Sequence, residues 1–252
     1  MSSAHPKVYL ISGASRGIGY ALIEQISQRP NHIVYAAARD PTNAVALNKL
    51  AELRPGAVKV VKLVAGSEED AKLIMAQVRS AEGHLDVVLA VSGVALWQHY
   101  APVKDCTNES IMEHFNTNLI GTVSLYRNAY PLLKAAPRGA IFMPMSSTMA
   151  SITKAGEYAF PLCGLSMSKA SINMLVRNIH LESEEEGFIV FPMDPGWTQT
   201  DNGNGNAKAC GMSEAPTKLE DTIAGVLKVL DAAKRETHGG VFLNYRGEVM
   251  PW

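Results

Sequence analysis

Residues 12–19 read Ser-Gly-Ala-Ser-Arg-Gly-Ile-Gly and directly follow an apolar run at residues 8–11. Glycines at positions 13, 17 and 19 allow a tight turn into a helix and let a ligand approach the backbone closely. The first amide groups of a helix lack intrahelical partners and, together with the helix dipole, attract an anion such as a pyrophosphate. The stretch therefore predicts a strand, a turn and a helix that bind a dinucleotide.

Outward from this turn, apolar strand-like runs alternate with amphipathic segments of helical length. The predicted strands are residues 7–12, 32–38, 58–64, 85–91, 139–145, 188–194 and 240–244. The predicted helices are residues 17–29, 42–53, 68–82, 110–136, 166–186 and 216–234. The strand runs contain few polar residues, which indicates a parallel sheet buried on both faces. Seven strands without a linker predict one doubly wound α/β domain over residues 1–252, with a seven-stranded parallel sheet flanked by helices.

The bulk composition excludes several classes of protein. The 252 residues are 47% hydrophobic and 19% charged, and the net charge is −1. We therefore expect no nucleic-acid partner and no membrane contact, since there is no general basic field and no bilayer-spanning apolar run. The three cysteines are far apart and form no Cys-x-x-Cys motif. They predict neither a disulfide framework nor a zinc site, and they suit a reducing compartment such as the cytoplasm.

One stretch differs in composition from the rest of the chain. Residues 201–211 read Asp-Asn-Gly-Asn-Gly-Asn-Ala-Lys-Ala-Cys-Gly. Their glycines and asparagines predict an irregular, mobile loop. We expect a substrate loop near residues 197–215.

The glycine spacing at residues 13–19 differs from the Gly-x-Gly-x-x-Gly of long-chain dehydrogenases. It resembles that of the short-chain dehydrogenase/reductase superfamily, and the resemblance covers nearly the whole chain. Within it, Asp-Pro-Gly-Trp-Thr-Gln-Thr-Asp at 194–201 and the final Gly-Gly-Val-Phe-Leu-Asn-Tyr-Arg-Gly-Glu-Val-Met-Pro-Trp are similar to bacterial C-factor-like proteins and fungal ketoreductases of secondary metabolism. The resemblance implies a Rossmann domain, a small-molecule substrate and a homodimer or homotetramer.

The resemblance also implies a nicotinamide cofactor, and two arginines indicate which one. Arg39 ends the second strand, where an acidic residue would bind the ribose of NAD. Arg39 and Arg16 can instead pair with a 2′-phosphate, which favours NADP(H), although Asp40 comes next in the chain. The other residues that the family motifs place at the cofactor are Gly13, Ser15, Gly17, Ile18, Gly19, Gly93, Asn118, Lys169, Pro195, Gly196, Trp197, Thr198 and Thr200.

Catalysis in the family uses an asparagine, a serine, a tyrosine and a lysine. Asn118 in Phe-Asn-Thr-Asn-Leu-Ile-Gly, Ser147 in Met-Ser-Ser and Lys169 in Ser-Lys-Ala-Ser match three of the four motifs. The tyrosine belongs four residues before the lysine, one helical turn away, and Leu165 stands there. A leucine has no proton to donate.

Other residues are candidates for the missing role or for substrate contact. Tyr158 belongs to the loop before the lysine helix and could supply a relocated proton donor. Asp194 and Asp201 flank the nicotinamide-binding segment, where each could act as an acid or stabilise a cation, and turn or cap chemistry is the alternative for both. Trp97 follows the fourth strand in a segment that lines substrate in this family.

The absence of a tyrosine at Leu165 narrows the chemistry that the sequence predicts. Reduction of a ketone places negative charge on oxygen and is slow without a donor. Hydride transfer to an iminium neutralises a positive charge and needs no acid. The sequence therefore favours an NADPH-dependent reductase of an iminium, imine or other pre-activated substrate. In this it is similar to fungal indole-alkaloid reductases without the tyrosine, some of which also act as Diels-Alderases.

Three alternatives stay open at the level of sequence. The protein could be a non-redox cyclase or isomerase that uses bound NADP⁺ as a structural or electrostatic cofactor. It could be a cofactor-binding regulator without catalysis. It could also be an ordinary carbonyl reductase in which Tyr158 supplies the proton.

Overall fold

The computed structural model describes residues 5–137, 139–157 and 160–252. Its strands are β1 (Lys7–Ser12), β2 (His32–Ala38), β3 (Val58–Lys62), β4 (Val87–Ala90), β5 (Ile141–Pro144), β6 (Ile189–Val190), β7 (Met193–Asp194) and β8 (Leu243–Asn244). Its helices are α1 (Gly17–Ile26), α2 (Val45–Leu53), α3 (Glu68–Ala81), α4 (Asn108–His114), α5 (Gly121–Lys134), α6 (Cys163–Glu182), α7 (Asp201–Ala209), α8 (Leu219–Ala232) and α9 (Arg235–His238).

The main sheet has the strand order β3-β2-β1-β4-β5-β6, and all of its pairings are parallel. The order reverses between β1 and β4, where Ser12 pairs with both Ala37 and Ala90. In a doubly wound sheet this reversal opens a crevice at the carboxyl ends of the strands. The predicted α/β doubly wound architecture is confirmed.

Six described strands form the main sheet, so the prediction of seven in one sheet is wrong. The predicted strand at residues 188–194 is divided into β6 and β7 around Pro192, which has no amide hydrogen for a ladder. β7 pairs in parallel with β8 as a separate two-stranded ladder, and Met193 also bridges to Met145 at the end of β5. The seventh predicted strand, β8, therefore pairs only with β7 and does not join the main sheet.

The core has two halves, one on each face of the sheet. In β1, Tyr9 and Ile11 pack with apolar residues of α1 and α8, whereas Val8 and Leu10 pack with those of α3, α5 and α6. All four side chains are fully buried. Burial on both faces explains why the strand reads as an apolar run without alternation. None of the described helices is long and apolar enough to cross a membrane.

Residues 201–211 form a helix over most of their length, so the prediction of an irregular loop is wrong. Thr200 caps α7, because its hydroxyl accepts a hydrogen bond from Gly203 N at 3.0 Å. A Cβ at Gly203 would lie 1.9 Å from Thr198 O, so the glycine permits a close backbone approach. The Asn206 side chain donates to Asn202 O at 2.7 Å. Capping and these side-chain bonds outweigh the low helix propensity of glycine and asparagine.

Candidate cofactor and active site

A cavity of about 420 Å³ lies at the carboxyl ends of β4, β5 and β7, between α6 and α7. Several residues singled out in the sequence line it: Ile18, Gly93, Ser147, Leu165, Lys169, Asp194, Pro195, Gly196, Trp197, Thr198 and Thr200. The strand order places the cavity beside the crevice between β1 and β4. The fold therefore brings the two predicted sites, for cofactor and for substrate, to one edge of the sheet.

The glycine turn has the geometry that a pyrophosphate requires. Gly13 and Gly17 have φ angles of 71° and 57°, in the region that favours glycine. A Cβ at Gly13 would lie 2.9 Å from Ser92 N, and one at Gly19 would lie 2.2 Å from Gly13 O. The side chain of Arg16, at the N-cap of α1, makes no hydrogen bond to the first turn. The amide groups of that turn are thus available to an anion.

The side chains at the end of β2 favour a phosphate over a ribose hydroxyl. Arg39 is exposed, as are Ser15 and Arg16 of the glycine turn. The carboxylate of Asp40 accepts hydrogen bonds from Thr42 Oγ1 at 2.9 Å and from Asn43 Nδ2 at 2.7 Å. These bonds, above all those from Asn43, lower the pKa of Asp40. The Asp40 carboxylate is therefore hydrogen-bonded within its own turn. The exposed guanidinium of Arg39 supplies the positive charge at the end of β2.

Asn118 is a fully buried residue that joins the segment after β4 to α6. Its Oδ1 accepts from Val94 N at 2.7 Å, and its Nδ2 donates to Val94 O at 3.1 Å and to Ser168 Oγ at 2.9 Å. It lies in a π-helical turn, Phe115–Ile120, that interrupts the predicted helix between α4 and α5. Asn118 does not line the cavity, and its contacts are those of a buried asparagine that makes structural hydrogen bonds.

Lys169 lines the cavity with a side chain that is almost completely buried. Its Nζ donates to Met145 O at 2.6 Å. Burial lowers the pKa of Lys169 to about 8, against an opposing effect of the nearby Asp194 carboxylate. A Cβ at Gly93 would lie 3.3 Å from this Nζ, so the glycine leaves room for the ammonium group.

Leu165 lies four residues before Lys169 on α6, and its side chain also lines the cavity. The side chain is 8% exposed and presents only carbon atoms. Both residues lie in the uninterrupted helix α6, so Leu165 is one helical turn from Lys169, as the sequence predicts. An apolar group therefore forms the part of the cavity wall next to the lysine.

The two serines after β5 differ in what their hydroxyls do. Ser146 is buried and donates to Asn173 Oδ1 at 2.6 Å. Ser147 accepts from Met149 N at 3.2 Å, and that bond leaves its own proton available to a ligand. Both serines line the cavity, but only the Ser147 hydroxyl donates no hydrogen bond to another described residue.

Asp194 is a buried carboxylate at the end of β7. Its Oδ2 accepts from Thr148 Oγ1 at 2.6 Å, and its Oδ1 accepts from Gly196 N at 3.2 Å. Burial raises the pKa of Asp194. The side chain thus stabilises the turn that follows β7 and also borders the cavity.

Trp197, Thr198 and Thr200 connect that turn to α7 and α8. Trp197 Nε1 donates to Gly203 O at 3.0 Å, and its ring meets Phe160 edge to face. The hydroxyl of Thr198 is buried against Thr222 and the backbone at residues 195–196. A Cβ at Gly17 would lie 3.3 Å from the methyl group of Thr200. The Thr200 contact links the glycine turn to the start of α7.

Two residues predicted to contact substrate do not line the cavity. Trp97 is half exposed in a short 3₁₀ turn, and its indole lies against Gly205 on α7. Asp201 is exposed in the first turn of α7, where a carboxylate complements the helix dipole. Tyr158 lies outside the described residues.

The structure adds lining residues that the sequence did not single out. Tyr100 and Asn206 both border the cavity, and Tyr100 Oη donates to Asn206 Oδ1. Burial raises the pKa of Tyr100, so its hydroxyl stays protonated at neutral pH. Asn206 was missed because residues 201–211 were interpreted as a loop. The position of Tyr100 in the sequence could have identified it, because it follows β4, whose carboxyl end borders the crevice.

The sequence model of the short chain dehydrogenases matches residues 7–210. The chain belongs to the short-chain dehydrogenase family. The resemblance inferred from the glycine spacing is therefore confirmed for the family. A fungal ketoreductase is among the relatives of this chain, which confirms the resemblance to fungal ketoreductases.

Two fungal relatives cover nearly the whole of this short-chain dehydrogenase. Norsolorinic acid ketoreductase of Aspergillus parasiticus is 34% identical over 250 residues, which are 97% of this chain and 91% of the relative. Short-chain dehydrogenase RED3 of Pyricularia oryzae is 31% identical, over 96% of this chain and 97% of the relative.

Among solved structures, an NADPH-bound carbonyl reductase from chicken fatty liver superposes with a TM-score of 0.88. It is 28% identical and covers 99% of this chain and 100% of its own.

Proposed function

We propose that this protein is an NADPH-dependent reductase of secondary metabolism that transfers hydride to an iminium, an imine or another pre-activated substrate. The observation that carries the proposal is the apolar side chain of Leu165 in the cavity wall, one helical turn from Lys169. The fungal ketoreductase relatives support the setting in secondary metabolism. The similarity to indole-alkaloid reductases with Diels-Alderase activity stays a prediction.

The cofactor is NADP(H), and the residues present fit it. The uncapped first turn of α1 and the close backbone at Gly13 accommodate a pyrophosphate. The exposed Arg16 and Arg39 suit a 2′-phosphate, and a structural neighbour at 28% identity is bound to NADPH. When bound, NADPH supplies the hydride. We propose that Lys169 holds the nicotinamide ribose and that the turn after β7 contacts the carboxamide.

The chain's own residues suit a substrate that already carries positive charge. Leu165 and the other apolar residues of the cavity exclude water from the site. Hydride transfer to a cation needs no proton donor, so the apolar Leu165 is compatible with that reaction. We propose that the buried Asp194 carboxylate stabilises the cation, since it borders the cavity and has only Thr148 and Gly196 as hydrogen-bond donors among its described partners. We propose Ser147 as a hydrogen-bond donor to the substrate and Asn118 as the residue that positions the wall of the site.

A single-turnover experiment with the full chain tests the proposal. Protein saturated with NADPH is mixed with a cyclic N-methyl iminium, and the loss of nicotinamide absorbance is followed. We expect one equivalent of NADPH to be oxidised, at least 100-fold faster than with the ketone of the same carbon skeleton, because donor loss slows only the ketone. NADPH binding without oxidation by a panel of iminium ions would contradict it. Product formed with NADP⁺ and no cofactor consumption would instead indicate a non-redox cyclase or isomerase.

A second candidate function is reduction of a carbonyl with a relocated donor. The observation in its favour is Tyr100, a half-buried tyrosine that lines the same cavity. The ketoreductase and carbonyl reductase relatives support this alternative. If it holds, either Tyr100→Phe or Tyr158→Phe abolishes ketone reduction, whereas Tyr126→Phe, outside the cavity, leaves it unchanged.

A further inference from the structure

Two cysteines that are far apart in the sequence are in contact in the folded chain. Cys163 Sγ donates a hydrogen bond to Cys106 Sγ at 2.7 Å. Cys163 is the first residue of α6, and Cys106 lies two residues before the start of α4. Both cysteines are half-buried free thiols, so a small oxidant can reach them. The third cysteine, Cys210, follows the last residue of α7 and lines the cavity.

We propose that Cys106 and Cys163 form a reversible intramolecular disulfide when the protein meets a peroxide. The sulfurs must approach by about 0.7 Å to reach bonding distance. Because Cys163 begins its helix, the movement falls on a terminal turn and not on a helix interior. The site was not evident from the sequence, since 56 residues separate the two cysteines.

The hydrogen bond assigns the order of the chemical steps. Cys106 Sγ accepts the hydrogen bond of Cys163, which stabilises negative charge on the Cys106 sulfur. Cys106 is therefore the nucleophile that attacks hydrogen peroxide, and its own proton leaves with the departing hydroxide. That step forms the sulfenic acid of Cys106 and releases one water. The Cys163 sulfur then attacks the Cys106 sulfur, its proton leaves with the hydroxyl group, and a second water is released. Two thiols thus lose two protons and two electrons, and one peroxide is reduced to two waters.

Burial and the contact with Cys106 raise the pKa of Cys163 to about 11. Cys163 therefore stays protonated at neutral pH until the sulfenic acid forms beside it. This matches a resolving cysteine, which acts on an oxidised neighbour and does not react with the oxidant first.

The disulfide would join two walls of the cavity. Cys106 Sγ donates to Ala101 O at 3.4 Å, and Ala101 forms a parallel bridge with Leu162. Tyr100, next to Ala101, lines the cavity, and so does Leu165 on the helix that Cys163 begins. Oxidation would therefore hold the segment that carries Tyr100 against the start of α6. The inference rests on the thiol contact alone and stands whether or not the protein reduces an iminium.

The experiment treats the full chain, in its native state, with hydrogen peroxide and then counts thiols and maps peptides by mass spectrometry. We expect the titratable thiols to fall from three to one and the mass to decrease by two hydrogen atoms. The linked peptides should contain Cys106 and Cys163, and dithiothreitol should restore all three thiols. Cross-linking should also raise the thermal midpoint of unfolding.

Variants provide matched controls for this assignment. Cys210→Ser should still lose two thiols, whereas Cys106→Ser and Cys163→Ser should form no intramolecular disulfide. Three thiols that persist after oxidation, a bond that includes Cys210, or a dimer linked between chains would each overturn the proposal. Peptide mapping of the wild-type protein decides the question even if a serine variant fails to fold.

Discussion

At the level of single residues, replacing Leu165 by tyrosine places a hydroxyl in the cavity wall, one helical turn from Lys169. We expect Leu165→Tyr to reduce ketones at least 100-fold faster than the wild type, because a positioned acid contributes about 10²–10⁴-fold. Leu165→Phe introduces the same ring without the hydroxyl and should give no gain. Steady-state NADPH oxidation with one ketone compares the three proteins. Equal rates for the tyrosine and phenylalanine variants would show that no donor is lacking at this position.

Arg39 is the residue on which the choice of cofactor depends. We expect Arg39→Ala to weaken NADPH binding by about 10-fold, since it removes a charge-assisted bond to the 2′-phosphate. Binding of NADH should be unchanged within about twofold. Arg54→Ala, at the C-cap of α2 and also exposed, is the control. Fluorescence titration measures both affinities, and an equal loss for NADPH and NADH would contradict the assignment.

Lys169 makes the stability of the ligand-free protein depend on pH. The pKa of its ammonium group is about 8 in the folded chain and 10.5 without burial. Between these values the unfolded chain binds more protons, so the contribution of Lys169 to the unfolding free energy rises with pH. The rise is about 3 kcal/mol over that range, and the full destabilisation is present below pH 8. Urea unfolding at pH 7 to 11 should show this rise in the wild type and its loss in Lys169→Met.

Among the helices, α7 depends on its cap. Thr200→Val keeps the methyl group that faces Gly17 but removes the acceptor for Gly203 N. We expect a loss of about 1 kcal/mol, seen as roughly fivefold faster hydrogen exchange in residues 201–209. Thr107→Val removes an equivalent cap from α4 and should leave exchange in α7 unchanged. Unchanged exchange in the Thr200 variant would show that packing alone maintains the helix.

The same helix shows where prediction from the sequence stops. Strands such as β1 and β2 were predicted to the residue, because an apolar run between turn residues reports burial directly. The glycines and asparagines of α7 indicated a loop, because helix propensity is a local property. Its cap at Thr200, its internal bond from Asn206 and its contacts across the cavity were not visible in that pattern. The cap, the internal bond and the contact of Asn206 with Tyr100 together outweigh the propensity.

For the whole molecule, we propose that residues 1–252 unfold as one cooperative domain, because the same six-stranded sheet contributes side chains to both halves of the core. We expect a single calorimetric transition. NADPH at 100 times its dissociation constant should stabilise the fold by about 2.7 kcal/mol. That corresponds to a rise in the midpoint of about 5–10 °C for a chain of this size. NADH at the same concentration should shift it less, and two separate transitions would contradict the single domain.

The assembly of the chain is a further proposal at this scale. The family resemblance implies a homodimer or homotetramer. Sedimentation equilibrium of the full chain, at 27.2 kDa per subunit, distinguishes these from a monomer.

The sequence by itself determined the alternation of strands and helices, the glycine turn and the leucine four residues before Lys169, because each depends on residues close together in the chain. Only the tertiary structure decided which side chains meet. It brought Cys106 into contact with Cys163 and Tyr100 into contact with Asn206, and it placed Trp97 outside the cavity. Contacts between distant residues depend on how the layers pack around the sheet, and no local pattern encodes that packing.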